Sequence, residues 1–283
     1  MTGPVIAGAP GSGALELGRW MAEKLGVRLL VTVVHPAPAA LGSGRVDAEW
    51  VADRYRAATR ILDEAHKTLG DFDADYRTVA SSSAAHGLHD LAEETGAAAI
   101  VVGSGKDAPR ERLYPGSTAQ RLLAGSICPV AVAPSECTPP PGSAGRIGVA
   151  YVDTPDGRAA LDEAARLAAR SGDPLRIYTV VARGDASRPF IFGEDAERAF
   201  LETARETYER SLEAAAASLT GVDADWRIVA GDVVDTLADL DEVDVLYCGS
   251  RGYGPARRVL LGGVSARLVR RACRPVVVVP RSG

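Results

Sequence analysis

The segment DADYRTVA, Asp73–Ala80, returns as DADWRIVA, Asp223–Ala230. AIVVGSGK, Ala99–Lys106, is echoed by VLYCGSRG, Val245–Gly252, and CPVAVAP, Cys128–Pro134, by RPVVVVP, Arg274–Pro280. Gly103 and Gly249, Gly116 and Gly262, and Pro134 and Pro280 keep one constant separation, so a whole domain has been written twice. Between the copies, PSECTPPPGSAG, Pro134–Gly145, shows neither strand nor helix periodicity and reads as an extended linker. The expected domains are therefore 1–143 and 144–283.

Inside each copy, short β-branched runs alternate with longer helical ones. In the second, RIGVAY, LRIYTVV, DWRIVA, DVLYC and PVVVV read as five strands. Leu161, Ala164, Ala165 and Ala168 keep helical spacing, as do Leu201, Ala204, Tyr208, Leu212, Ala215 and Leu219, so both segments present a core-facing stripe. Near-continuous apolar strands need cover on both faces and crossover helices between them, which is the doubly wound parallel α/β architecture. Ligands in such sheets sit beyond the carboxyl ends of the strands, where the winding reverses. The last strand of each copy, bounded by prolines, is expected at a sheet edge, where unpaired backbone groups invite a partner.

With 283 residues, 46% hydrophobic content and a formal charge of −5, the chain has material for two ordinary cores and no global attraction to nucleic acid or anionic membrane. No run of about 20 apolar residues appears, and the start MTGPVIAGAPGSG lacks the pattern of a signal peptide. A cytoplasmic protein is expected. Cys128, Cys137, Cys248 and Cys273 are scattered without metal-ligand spacing and are expected to be reduced thiols.

The carboxyl end of the DVLYC strand opens GSRGYGPARRVLLGGVS, Gly249–Ser265. A strand ending in glycine exposes backbone N–H groups, and a helix that follows adds its own free N–H groups and positive dipole end, so both suit an anion. Gly249, Ser250, Arg251 and Gly252 give G-x2-G; nine residues later come Gly262, Gly263, Val264 and Ser265. This resembles the G-x2-G-x9-G signature of the universal stress protein family, usually followed by Ser or Thr and then Val-Ser. The resemblance covers both copies. It implies tandem flavodoxin-like (HUP-type) domains of strand order 3-2-1-4-5, binding of ATP or AMP, with Mg2+ a possible companion, a stress-adaptation role, and no catalysis beyond slow ATP hydrolysis.

The same resemblance implies which residues would hold the nucleotide. Gly249–Gly252 would meet ribose and α-phosphate, and the N–H groups of Gly262–Ser265 the outer phosphates. The family's adenosine-binding aspartate would fall at Val152, with Asp153 one place on as its substitute, and backbone at Val180 would complete that end. Gly263 stands where the family has a hydroxyl; losing one charge-assisted hydrogen bond costs roughly 1.5–3 kcal/mol, about ten- to hundredfold in affinity, so the site is weakened rather than erased. In the first copy Gly103, Gly116, Ser117 and Thr118 occupy the matching positions, but Lys106 replaces the second glycine, Ala119 the later serine, and Ala9 and Pro10 the acidic region. That site is expected to be empty or repurposed. The resemblance also implies that the copies pair through their last strands, making within one chain the dimer that single-domain members make between chains, and that two chains associate. The alternative is a degenerate member that binds no nucleotide and serves as an interaction scaffold.

Other signals carry less. GAPGSGAL, from Gly8, has Walker-like glycine spacing but Ala14 and Leu15 where Lys and Ser/Thr are needed, so it reads as a turn into a helix. His86 and His89 share a helix face without further ligands, His66 reads as solvated, and His35 reads as a sheet-edge residue. Arg257 and Arg258, with Arg110 and Arg112 in the first copy, either screen phosphate or are simply solvated. The acidic helix from Gly193 pairs Glu with Arg at short helical spacing and suits a solvated face.

Overall fold

The computed structural model describes residues 3–37, 48–105, 112–135, 145–181, 194–250 and 263–280. The expected domain boundary, Lys106, Arg110, Cys137, Arg251, Gly252, Arg257, Arg258 and Gly262 lie outside the described residues. In the first half β1 (Val5–Gly8), α1 (Ser12–Leu25), β2 (Leu29–Pro36), α2 (Ala48–Leu69), β3 (Ala74–Ser81), α3 (Ala84–Thr95), β4 (Ala99–Gly103), α4 (Ser117–Gly125) and β5 (Val130–Ala133) follow in order. The second half repeats the series as β6 (Ile147–Ala150), α5 (Pro155–Ser171), β7 (Leu175–Val181), α6 (Glu194–Ala217), β8 (Ala224–Ala230), α7 (Val233–Ala238), β9 (Val245–Gly249), α8 (Gly263–Leu268) and β10 (Val276–Val279).

Each half is a parallel sheet, as the alternation of apolar strands and amphipathic helices requires, and its strand order is 3-2-1-4-5, as the family resemblance implies. The inner strands are mostly buried, whereas the edge strands β3 and β8 alternate half-buried and exposed positions. α1, α2, α5 and α6 cover one face, and α3, α4, α7 and α8 the other. Thr154 caps α5 through its Oγ1, which accepts from Gly157 N at 3.1 Å, and Pro155 supplies the fixed φ of the first helical position.

The prolines that bracket β5 and β10 do not leave these strands open. They pair antiparallel with each other, Val277 opposite Ala131, so ten strands form one sheet. His35 is likewise not at an edge: β2 lies between β1 and β3, and the ring sits near that strand's carboxyl end, edge-on to Tyr55 at 5.6 Å. Across the seam α1 packs on α5, Lys24 Nζ stands 2.8 Å from the buried Asp173 carboxylate, and Arg170 donates to Leu25 O at 2.6 Å. Antiparallel pairing at the seam turns the carboxyl rims of the two halves toward opposite ends of the sheet.

Candidate functional site

The rim of the second half is built by strand ends that fix one another. Tyr151 N donates to Tyr178 O at 2.8 Å and Thr179 Oγ1 to Tyr151 O at 2.7 Å, which ties the exit of β6 to β7. Ser250 N donates to Val279 O at 2.9 Å, holding the first residue past β9 against β10. Ser265, 4% exposed, turns its hydroxyl inward and donates to Gly249 O at 2.6 Å. The start of α8 is thereby fastened to the strand end, and this side chain is not available to a ligand. Val264 is half-buried beside it, and nothing lies within 4 Å of the point where Gly263 would carry a Cβ.

Gly249 has a different reason to be glycine. A Cβ there would stand 2.7 Å from the Asp156 carbonyl oxygen and 2.9 Å from the Asp156 Cβ, because the first turn of α5 lies directly on the end of β9. Val152 is 37% exposed, and Val180 is half-buried near the end of β7. Asp153 is exposed but engaged: its Oδ1 accepts from Arg158 Nε at 2.6 Å and from Tyr151 OH at 3.2 Å. The Arg158 hydrogen bond holds this carboxyl below the usual carboxylate range. Asp156, which the motif comparison passed over, is 8% exposed with an Oδ1 that has no partner among the described residues. Its position was readable: Asp156, Ala160, Ala164 and Ala168 step by four along α5, and all are buried.

The first half closes the corresponding rim with its own chain. Ser104 N and Oγ both donate to Ala133 O, at 2.9 and 3.0 Å, and Ser104 Oγ accepts from Tyr114 N at 3.2 Å. Gly105 N donates to Tyr114 O at 2.7 Å, and Ser104 bridges Pro115, so the approach to α4 lies against the strand end. Gly116 precedes α4 in extended conformation without a side-chain cap, Ser117 is exposed and Thr118 half-buried. A Cβ on Gly103 would make an ordinary contact with Ala14 Cβ at 3.8 Å. In the Walker-like turn a Cβ on Gly13 would meet Pro134 O at 2.0 Å, so the protein itself fills that glycine's space.

Three sets of residues stand apart from these rims. His86 approaches Asp90 at 3.4 Å and, with His89 and Arg121, lines a shallow groove of about 250 Å3; no cluster of three metal-ligating residues occurs among those described. At the seam, Ile127, Pro129, Pro155, Arg158 and Pro280 line an open groove of about 430 Å3. Cys128 and Cys248 are buried thiols pushed up to about 11 and about 12 by burial, far from the range of a nucleophile at neutral pH. No described helix is long and apolar enough to cross a membrane.

The universal stress protein family model matches this chain twice, at residues 9–134 and 144–280. The chain belongs to the universal stress protein family. A universal stress protein of Mycobacterium tuberculosis is 31% identical to it over 97% of both chains, and one of Mycobacterium bovis matches equally. Among solved structures, a universal stress protein from Archaeoglobus fulgidus superposes with a TM-score of 0.67, at 19% identity, covering 100% of this chain and 97% of that one. A functionally unknown protein from Pseudomonas aeruginosa gives 0.64 at 15% identity, over 98% and 92% of the respective chains. Those two likenesses speak to the fold alone, an α/β fold with a mostly parallel sheet.

Proposed function

We propose that this tandem universal stress protein binds an adenine nucleotide, ATP or AMP, at the rim of its second half, and that occupancy regulates a partner in stress adaptation within the cytoplasm. The observation that carries the reading is the Ser265–Gly249 hydrogen bond, which fastens the glycine-opened start of α8 to the end of β9. The start of α8 is thereby held beside the strand end, and the free N–H groups of a helix's first turn suit phosphate. In this reading Gly249, Ser250, Arg251 and Gly252 meet the sugar and α-phosphate, Gly262, Gly263, Val264 and the N–H of Ser265 meet the outer phosphates with any Mg2+, and the Val152–Asp153 turn with Val180 borders the base. The role is binding rather than turnover. Calorimetry with ATP and Mg2+ tests it: heat that saturates below millimolar nucleotide supports the reading, and none at millimolar nucleotide removes it.

The first half supports a second role. Its closed rim leaves Gly103, Gly116, Ser117 and Thr118 without an open cradle between them, which favours a scaffold function for that half. We read the β5–β10 seam as the internal counterpart of a dimer between single-domain chains, with association of two whole chains as a further step that solution scattering measures directly.

A further inference from the structure

Asp156 sits where a carboxylate is costly. It is 8% exposed, its Oδ1 is out of water, and no described residue donates to that oxygen. A buried acceptor without a donor is destabilising, and an ionised one more so. The amino-terminal end of α5 offsets part of this cost, but capping does not require Asp156, since the Thr154 hydroxyl already takes Gly157 N. Asp153 is committed to Arg158 and Tyr151. The space above Gly103 in the first half holds Ala14, so the buried carboxylate belongs to the second half alone.

We propose that Asp156 is the residue that receives hydrogen-bond donors from the ligand of the second half, and that those donors are the ribose hydroxyls of the nucleotide. The inference rests on the nucleotide reading and adds a residue and a selectivity to it. Phosphate oxygens bring no donor at neutral pH and repel a carboxylate, so Asp156 faces the nucleoside end. Its Cβ lies 2.9 Å from the Cβ point of Gly249, the residue assigned to the sugar, which selects the ribose over the base. A ligand lacking the 2′-hydroxyl leaves the buried oxygen less satisfied, and such a loss discriminates strongly.

The test titrates the full chain, Asp156→Asn and, as a control on the exposed surface of the first half, Asp90→Asn with ATP and with 2′-deoxy-ATP. The wild type is expected to prefer ATP by about tenfold, and Asp156→Asn to lose about tenfold or more of its ATP affinity together with that preference, while Asp90→Asn stays within about threefold of wild type. Without ligand, Asp156→Asn is expected to melt no lower than wild type, because the Oδ1 it replaces accepts no bond from a described residue. Unchanged affinity and preference in Asp156→Asn overturn the inference while leaving the nucleotide reading intact; so does weaker binding with the preference kept, or a lowered melting point with normal binding. Failure of the wild type to bind either nucleotide overturns the reading and the inference together.

Discussion

The two halves of this protein share their strand order, yet they use the end of the fourth strand in opposite ways. After β4 the chain turns back, and Ser104 and Gly105 bond to Tyr114 and to the strand beside them. After β9, the tie runs from the helix instead, through Ser265 to Gly249. The equivalent glycines differ as well, since a Cβ on Gly103 would only touch Ala14 whereas one on Gly249 would run into the backbone of Asp156. A duplicated motif glycine can therefore be kept by a ligand, by a helix or by neither, and only the neighbouring atoms decide which.

The largest expected effect separates those two glycines. Gly249→Ala forces the first turn of α5 away from β9 and is expected to cost about 1–3 kcal/mol, the usual range for overpacking. Gly103→Ala meets only Ala14 Cβ at 3.8 Å and is expected to stay within about 0.5 kcal/mol of wild type. Urea unfolding of the two variants measures the difference. Equal midpoints would show that the contact between α5 and β9 does not constrain residue 249.

Gly263→Ser sharpens the comparison at the ligand. The position has free space and no left-handed backbone angle, so serine fits there and brings the hydroxyl of the family pattern. ATP affinity is expected to rise about tenfold, one hydrogen bond to a charged group. The reciprocal change in the first half, Ser117→Gly, is expected to leave nucleotide binding unaltered because that rim is closed. Titration of both variants tests the assignment of the site to one half.

Ser265→Ala comes next in size. It removes a buried 2.6 Å bond and frees the Gly249 carbonyl, for an expected loss of about 1 kcal/mol, read as a lowered thermal midpoint. The first half has Ala119 at this position and ties its rim through Ser104 instead, so an Ala119→Ser exchange is expected to restore nothing there.

How much of this was legible in the residues follows from which interactions are periodic. Strands such as DVLYC and PVVVV and the stripe through Leu161, Ala164 and Ala168 carry their burial in their spacing, and β9, β10 and α5 formed where that spacing placed them. The duplication made the tandem arrangement readable, and the family resemblance implied the strand order. Rim residues obey no period. Whether the Ser265 hydroxyl faces a phosphate or a carbonyl depends on the packing of α8 on β9, which the motif does not encode. Asp153 looked available because its partner Arg158, five residues away, is one of several arginines on α5. Asp156 was overlooked although its four-residue step to Ala160 placed it on the buried face.

The smallest expected effect concerns the opposite ends of the strands. In the second half Arg176, 14% exposed, donates to both oxygens of Asp225 and, at 2.7 Å, to Glu242, which also receives Tyr178 OH at 2.9 Å and Arg227 at 3.0 Å. In the first half Leu30 holds the register position of Arg176, and Asp75 pairs instead with Arg28, both in solvent at 50% and 63% exposure. The Arg176 hydrogen bond holds the Asp225 carboxyl below its ordinary value of 3.8. A carboxyl depressed in the folded state binds protons more readily in the unfolded one, so its stabilisation is present above pH 3.8 and is lost as pH falls through the folded value. Because Asp225 is 55% exposed, solvent screening limits the contribution to about 0.5 kcal/mol. Amide protection along β7 and β8 is therefore expected to fall slightly more than along β2 and β3 between pH ~5 and pH ~3. An equal loss in the two sheets would place the Arg176 network among ordinary surface charges and remove this last difference between the halves.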